Sequence, residues 1–128
     1  MSHAIQIREA HFPRRAPIDA YGNGGFRFAD MSHRGSLVCV PSGIYGIDMV
    51  GPIPTQEDVS RILEESSEIE VLLIGTGVEL LPLPKELRML LWEKRISSDT
   101  MSTGAAVRTF NVLLAEDRAV AALLFAVE

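Results

Sequence analysis

Val71-Leu72-Leu73-Ile74-Gly75-Thr76-Gly77 is the stretch whose reading decides the fold. Four apolar residues halt abruptly at a Gly-x-Gly turn. A strand buried on both faces has this pattern where it delivers its chain to a loop at the end of a sheet. A second delivery follows, where a strand over Ile96-Ser97-Ser98-Asp99 runs into Thr100-Met101-Ser102-Thr103-Gly104 and then a helix. Two parallel strands ending in small and polar residues make a crevice, and open α/β sheets bind ligands in such crevices.

Working outward toward the N-terminus, Ala4 to Ala10 alternate weakly and read as a first strand. Pro13, Pro17 and the arginines between them read as a connecting loop. Tyr21-Gly22-Asn23-Gly24-Gly25-Phe26-Arg27-Phe28 places three glycines in four positions beside Asn23, the composition of a tight turn or bulge. Phe26 and Phe28 then share one face of a strand, with Arg27 on the other. Asp30-Met31-Ser32-His33-Arg34-Gly35 reads as a turn between strands. Ser36 to Val40 is the next strand, closed by Pro41-Ser42-Gly43, and Ile44 to Asp48 follows closely enough to be its hairpin partner. The first fifty residues are a β-rich layer.

The character changes at Gly51-Pro52-Ile53-Pro54. Thr55 with Asp58 three positions later predicts a capping pair, and Val59, Ile62 and Leu63 a helical stripe behind it. Glu64-Glu65 and Glu68-Ile69-Glu70 close that helix ahead of the strand at Val71. Leu80-Leu81-Pro82-Leu83-Pro84 crosses to a second helix with Leu87, Leu90 and Leu91 inward. In a third helix Ala106, Val107, Phe110, Leu113 and Leu114 fall at core-facing spacing. Ala119 to Val127 is apolar throughout and reads as a central strand. A hairpin start followed by βαβαβ predicts a mixed sheet with helices packed on it, in one α/β domain over residues 1–128.

The chain has 128 residues, 47% of them hydrophobic and 23% charged, which is a globular composition. A net charge of −5 argues against nucleic acid, since phosphate recognition needs a basic stripe. The single Cys39 cannot form an internal disulfide; it fits a reducing compartment and reads as a small buried hydrophobe. No apolar run reaches the roughly 20 residues of a membrane helix, and no signal-peptide pattern opens the chain. The expectation is a cytoplasmic protein.

Catalytic constellations are scarce. His3, His11 and His33 have no metal-ligand spacing to Cys39 or to an acidic pair, and no Gly-x-Ser-x-Gly elbow occurs. Asp99 could serve as a base, but has no visible partner. The Gly75-Thr76-Gly77 turn departs from a dinucleotide fingerprint, because Leu80 stands where a third glycine belongs and Pro82 and Pro84 delay the helix. At Thr100–Gly104, Ser102 or Thr103 can cap the third helix, and Arg108 and Asn111 share a face of it. An anion held at that helix start with Arg108 assisting is one reading. The other is a cap at Thr103 with Arg108 paired to Asp99 or Glu70. Gly75, Thr76, Gly77, Asp99, Thr103, Arg108 and Asn111 are thus the candidate ligand-binding set, with no catalytic residue, metal or cofactor assigned.

Met89 and Trp92 lie three apart on the second helix, beside rather than within its leucine stripe, and Tyr21 and Tyr45 adjoin glycines in turns. Such side chains favour protein interfaces, although a domain with eight aromatics has use for all of them in its core.

Taken together, Tyr21–Phe26, Val38–Asp48, Ile74–Gly77 and Thr103–Arg118 resemble successive signatures of one family. The chain is similar, over residues 4–127, to the family of mitochondrial NADH:ubiquinone oxidoreductase assembly factor 3 and its small bacterial and archaeal relatives. The resemblance implies a three-layer α/β fold with a central mixed sheet and an added N-terminal β layer. It implies no catalytic residues and no cofactor. It implies protein partners, since the mitochondrial members help build respiratory complex I with other assembly factors at the inner membrane, on the matrix side. Ile47 departs from the family, which often has a tryptophan between the glycine and the aspartate. The Arg/Ser-rich extension of a mitochondrial precursor is absent, so a bacterial cytoplasmic member is expected. The leading expectation is a non-enzymatic protein-binding factor, with respiratory-complex subunits or assembly factors as partners. The alternative is a small-ligand or anion binder, or an enzyme, using the crevice.

Overall fold

The structure is a computed structural model and describes residues 11–128; the strand expected over Ala4–Ala10 lies outside them. Its centre is a six-stranded sheet in the order β1-β6-β5-β9-β7-β8. These strands are β1 (His11–Phe12), β5 (Ser36–Val40), β6 (Gly43–Ile47), β7 (Val71–Gly75), β8 (Ser97–Met101) and β9 (Val120–Leu124). Pairing is antiparallel from β1 through β6 and β5 to β9, then parallel from β9 to β7 and from β7 to β8. The sheet is therefore mixed.

Period-two alternation splits the core between its faces. Leu37, Cys39, Leu73, Val120, Ala122 and Leu124 enter one cluster, and Val38, Val40, Leu72, Ile74, Ala121 and Leu123 the other. Both sets are buried, which is why β5, β7 and β9 read as unbroken apolar runs rather than alternating ones. The second cluster is covered by a 3-10 turn (Glu57–Val59), helix α1 (Ser60–Glu64) and helix α2 (Lys85–Glu93), through Val59, Ile62, Leu87 and Leu91. The first is covered by helix α3 (Thr103–Ala115) through Ala106, Val107 and Phe110.

A second sheet of β2 (Ala20–Gly22), β3 (Gly25–Phe28) and β4 (Met31–Arg34) contributes Phe26 and Phe28 to that same first cluster. The expected N-terminal β layer is thus divided, with β5 and β6 entering the main sheet and β2 to β4 forming the added layer. In the β2–β3 hairpin Gly22 faces Gly25, so Asn23 and Gly24 are the two loop residues, at φ 54° and 78°. Both values are positive, as a primed turn matching the twist of its strands requires.

Three local expectations are corrected. His33 lies in β4 rather than in a turn, paired with Phe26; the turn is Ala29-Asp30, at φ 49° and 62°. Alanine rarely adopts such a φ, so nothing in the sequence marks the spot. The strand expected over Ile96–Asp99 runs instead from Ser97 to Met101, because pairing with β7 continues until Met101 faces Gly75. The helix after Thr55 is short and interrupted, although its capping pair forms. There the Thr55 amide donates to Asp58 Oδ2 (2.8 Å) and the Asp58 amide to Thr55 Oγ1 (3.3 Å).

Gly75 fixes the distance between β7 and α3. A Cβ there would lie 2.8 Å from Thr103 Cα, 3.0 Å from Thr103 Oγ1 and 3.2 Å from Ala106 Cβ. Gly75→Ala must push the helix off the sheet and is expected to cost about 1–3 kcal/mol. Urea unfolding should show a lower midpoint at unchanged slope. A midpoint equal to that of the wild type would mean that helix and strand separate freely.

Candidate functional site

The carboxyl ends of β7 and β8 meet the start of α3, as the sequence expected, and four of the seven candidate residues come together there. Gly75, Thr76, Gly77 and Thr103 are all buried. Ser102 is the helix cap, accepting from the Ala105 amide at 3.3 Å, and Thr103 is left free for another task. Its hydroxyl accepts from the Gly77 amide (3.0 Å) and donates to the Phe125 carbonyl (2.7 Å). The Thr103 amide donates in turn to the Gly77 carbonyl at 2.8 Å. Thr76 does the same for its own loop. Its hydroxyl donates to the Glu79 carbonyl at 2.6 Å and accepts from the Leu81 amide at 3.0 Å.

Tyr21 reaches this end of the molecule from the second sheet. A Cβ at Gly104 would overlap its hydroxyl, so the phenol lies directly over the first turn of α3. The hydroxyls of Thr76 and Thr103 are thus committed to the chain's own backbone, and the helix start is covered by an aromatic ring.

The other three candidates point elsewhere. Asp99 is exposed on β8, at the outer edge of the sheet. Arg108 is exposed on α3, and the ion pair with Glu70 is made by Arg118 instead, at 3.9 Å. Both partners of that pair are largely solvated, so it adds little stability. Asn111 holds the chain before β2: its Oδ1 accepts from the Ile18 amide (2.9 Å) and its Nδ2 donates to the Ile18 carbonyl (2.8 Å). A side-chain amide presents one donor and one acceptor side by side, as a neighbouring strand would.

Of the surface aromatics, Tyr45 is engaged. Its ring lies under the Arg61 guanidinium at 3.8 Å and its hydroxyl is 2.7 Å from Ser42 Oγ. Met89 and Trp92 are 53% and 65% exposed and, with Arg88, Ser97 and Ser98, line a shallow groove of about 320 Å³ between α2 and β8. The sequence marked Met89 and Trp92 as lying off the leucine stripe but gave no sign that β8 runs beside them. Among the described residues no group of three or more His, Cys, Asp or Glu could hold a metal ion. No helix of the described residues is long and apolar enough to cross a membrane.

A three-layer α/β domain with an added antiparallel sheet over the start of its last helix is the class that this architecture defines. The chain belongs to the family described as a protein of unknown function (DUF498/DUF598), whose model matches residues 18–125. It is similar to a Bartonella henselae protein known from a crystal structure and described there as an outer membrane protein. The two share 89% identity and a TM-score of 0.91, over 91% of this chain and 99% of that one. A Rhodopseudomonas palustris protein solved by NMR is 43% identical with a TM-score of 0.80, over 91% of this chain and 87% of that one. At 26% identity the chain is similar to mouse NADH dehydrogenase [ubiquinone] 1 alpha subcomplex assembly factor 3, over 94% of its own length and 65% of the mouse protein's.

Two predictions follow from the buried polar groups. Thr103→Val leaves the Gly77 amide and the Phe125 carbonyl unpaired and should cost about 2–4 kcal/mol, whereas Thr103→Ser keeps the bridge and should lose less than about half of that. Equal melting curves for the two variants would show the hydroxyl to be dispensable. Separately, burial pushes the Cys39 thiol up to about 12, because its thiolate would lose hydration. The unfolded chain releases this proton first, so the group's stabilisation is intact below about pH 9 and drains away between about 9 and 12. The stability difference between wild type and Cys39→Ala, from urea unfolding, should fall by about 1.4 kcal/mol per pH unit in that window. A constant difference would rule this out.

Proposed function

We propose that this protein is a non-enzymatic protein-binding factor that assists assembly of respiratory complex I or a related membrane complex. The carrying observation is the similarity to the mouse assembly factor, which runs along 94% of this chain rather than through one motif. The chemistry of the surface supports it. The hydroxyls at the carboxyl ends of the strands are turned to the backbone, which leaves them little to offer a small molecule. What is offered to solvent is of the kind that contacts proteins: a methionine and a tryptophan beside an open sheet edge.

The test is removal of the gene from its own cells, with membranes resolved on native gels and stained for NADH oxidation. Full-size complex I should fall and smaller assemblies accumulate, and a plasmid copy should restore it while the other respiratory complexes stay unchanged. Complex I of normal size and amount in the deletion strain would refute this function.

A further inference from the structure

Strand β8 ends the six-stranded sheet, and its outer side has no partner among the described residues. The Ser97 amide donates to the Glu70 carbonyl and the Met101 carbonyl accepts from the Thr76 amide, both at 2.9 Å. Ser97, Asp99 and Met101 therefore turn their backbone groups toward β7. The alternation of a strand leaves Ser98 and Thr100 with amide and carbonyl pointing outward. These are the groups to which another strand adds.

The side chains along this edge specify what such a strand would carry. Ser98 and Thr100 pair with Leu72 and Ile74 and so lie on the face covered by α2, where Met89 and Trp92 border the groove. Asp99 pairs with Leu73 and lies on the opposite face. It is exposed, and its carboxylate has no ion-pair or hydrogen-bond partner among the described residues. In an added strand the residue opposite Asp99 shares its face, while the residues on either side of it lie on the face of Met89 and Trp92.

A second copy of the chain is the wrong occupant. Two-fold antiparallel pairing that used both Ser98 and Thr100 would centre on Asp99 and set two carboxylates directly opposite each other, which destabilises. We infer that β8 accepts, in antiparallel pairing, an extended segment of a different protein with the pattern apolar-basic-apolar. Its basic residue would face Asp99, and its apolar residues would lie in the groove beside Trp92 and Met89. This inference deepens the protein-binding reading above and rests on it for the nature of the occupant.

The chain's one tryptophan supplies the readout. Purified protein is titrated with a short capped peptide carrying valine-lysine-leucine at its centre, and Trp92 emission is followed. Saturable binding is expected below about 1 mM, with the valine-glutamate-leucine peptide weaker by roughly fivefold or more. Methylating the valine and leucine amides, which point at β8, should abolish the change. Asp99→Lys, at an exposed position that leaves the melting temperature unmoved, should reverse the preference in favour of glutamate. No saturable change, or equal affinities that Asp99→Lys leaves equal, would overturn the inference. So would an emission shift with protein concentration alone accompanied by dimer in sedimentation, which would make the occupant a second copy. Because purified components are used, failure here is distinct from a normal complex I in the deletion strain.

Discussion

The fold depends on β9 being paired along both sides. It runs antiparallel to β5, with Leu37 facing Leu124, and parallel to β7, with Val71 facing Val120. All five of its residues are buried. One strand from the end of the chain thereby joins the hairpin sheet of the first half to the βαβ unit of the second. Among the described residues nothing else in the main sheet spans that division, since β5 pairs there with β6 and β9 alone. Placing β9 in the middle also requires the chain to cross from β8 over β7, and α3 makes that crossing, with Phe110 and Val107 against the sheet.

The end of β9 determines what the carboxyl ends of β7 and β8 can do. Phe125 follows it directly; its amide donates to the Gly75 carbonyl at 3.0 Å and its carbonyl takes the Thr103 hydroxyl. Three segments distant in sequence are tied by a few buried hydrogen bonds whose loss would leave backbone groups unsatisfied. Asn111 applies the same principle at Ile18, fixing the entry to the second sheet, and the second sheet brings Tyr21 over Gly104. Polar residues at strand ends therefore serve here as fasteners.

Much of this was legible in the chain. Val71–Ile74 and Ala119–Val127 read as buried strands because both faces of a central strand need apolar side chains; the structure carries the first one residue further, to Gly75, and trims the second to Val120–Leu124. The Ser36–Val40 hairpin, the Thr55/Asp58 capping pair and the core faces of α2 and α3 followed from local spacing for the same reason: one segment and its own neighbours decide them. The β2–β3 turn was visible in its glycines, whereas the Ala29-Asp30 turn was not, because a strained φ at alanine is imposed by the strands around it. The reach of β8 through Thr100 and Met101 was hidden too, since an edge strand with one neighbour needs no apolar pattern.

The sequence by itself determined the mixed α/β class, the central strands, the facing of the core helices and, through resemblance, the family. Each is recorded in periodicity or in the order of motifs. Only the tertiary structure decided what the polar residues do. Thr103, Asn111 and Asp99 were equal candidates for one crevice, yet the fold makes the first a bridge within the core, the second a clamp on Ile18 and the third an exposed charge on a free edge. The physical reason is that a hydrogen-bonding side chain takes its role from the partner that folding brings within about 3 Å. That partner lies here 22 residues away for Thr103 and 93 for Asn111, beyond anything local spacing can register.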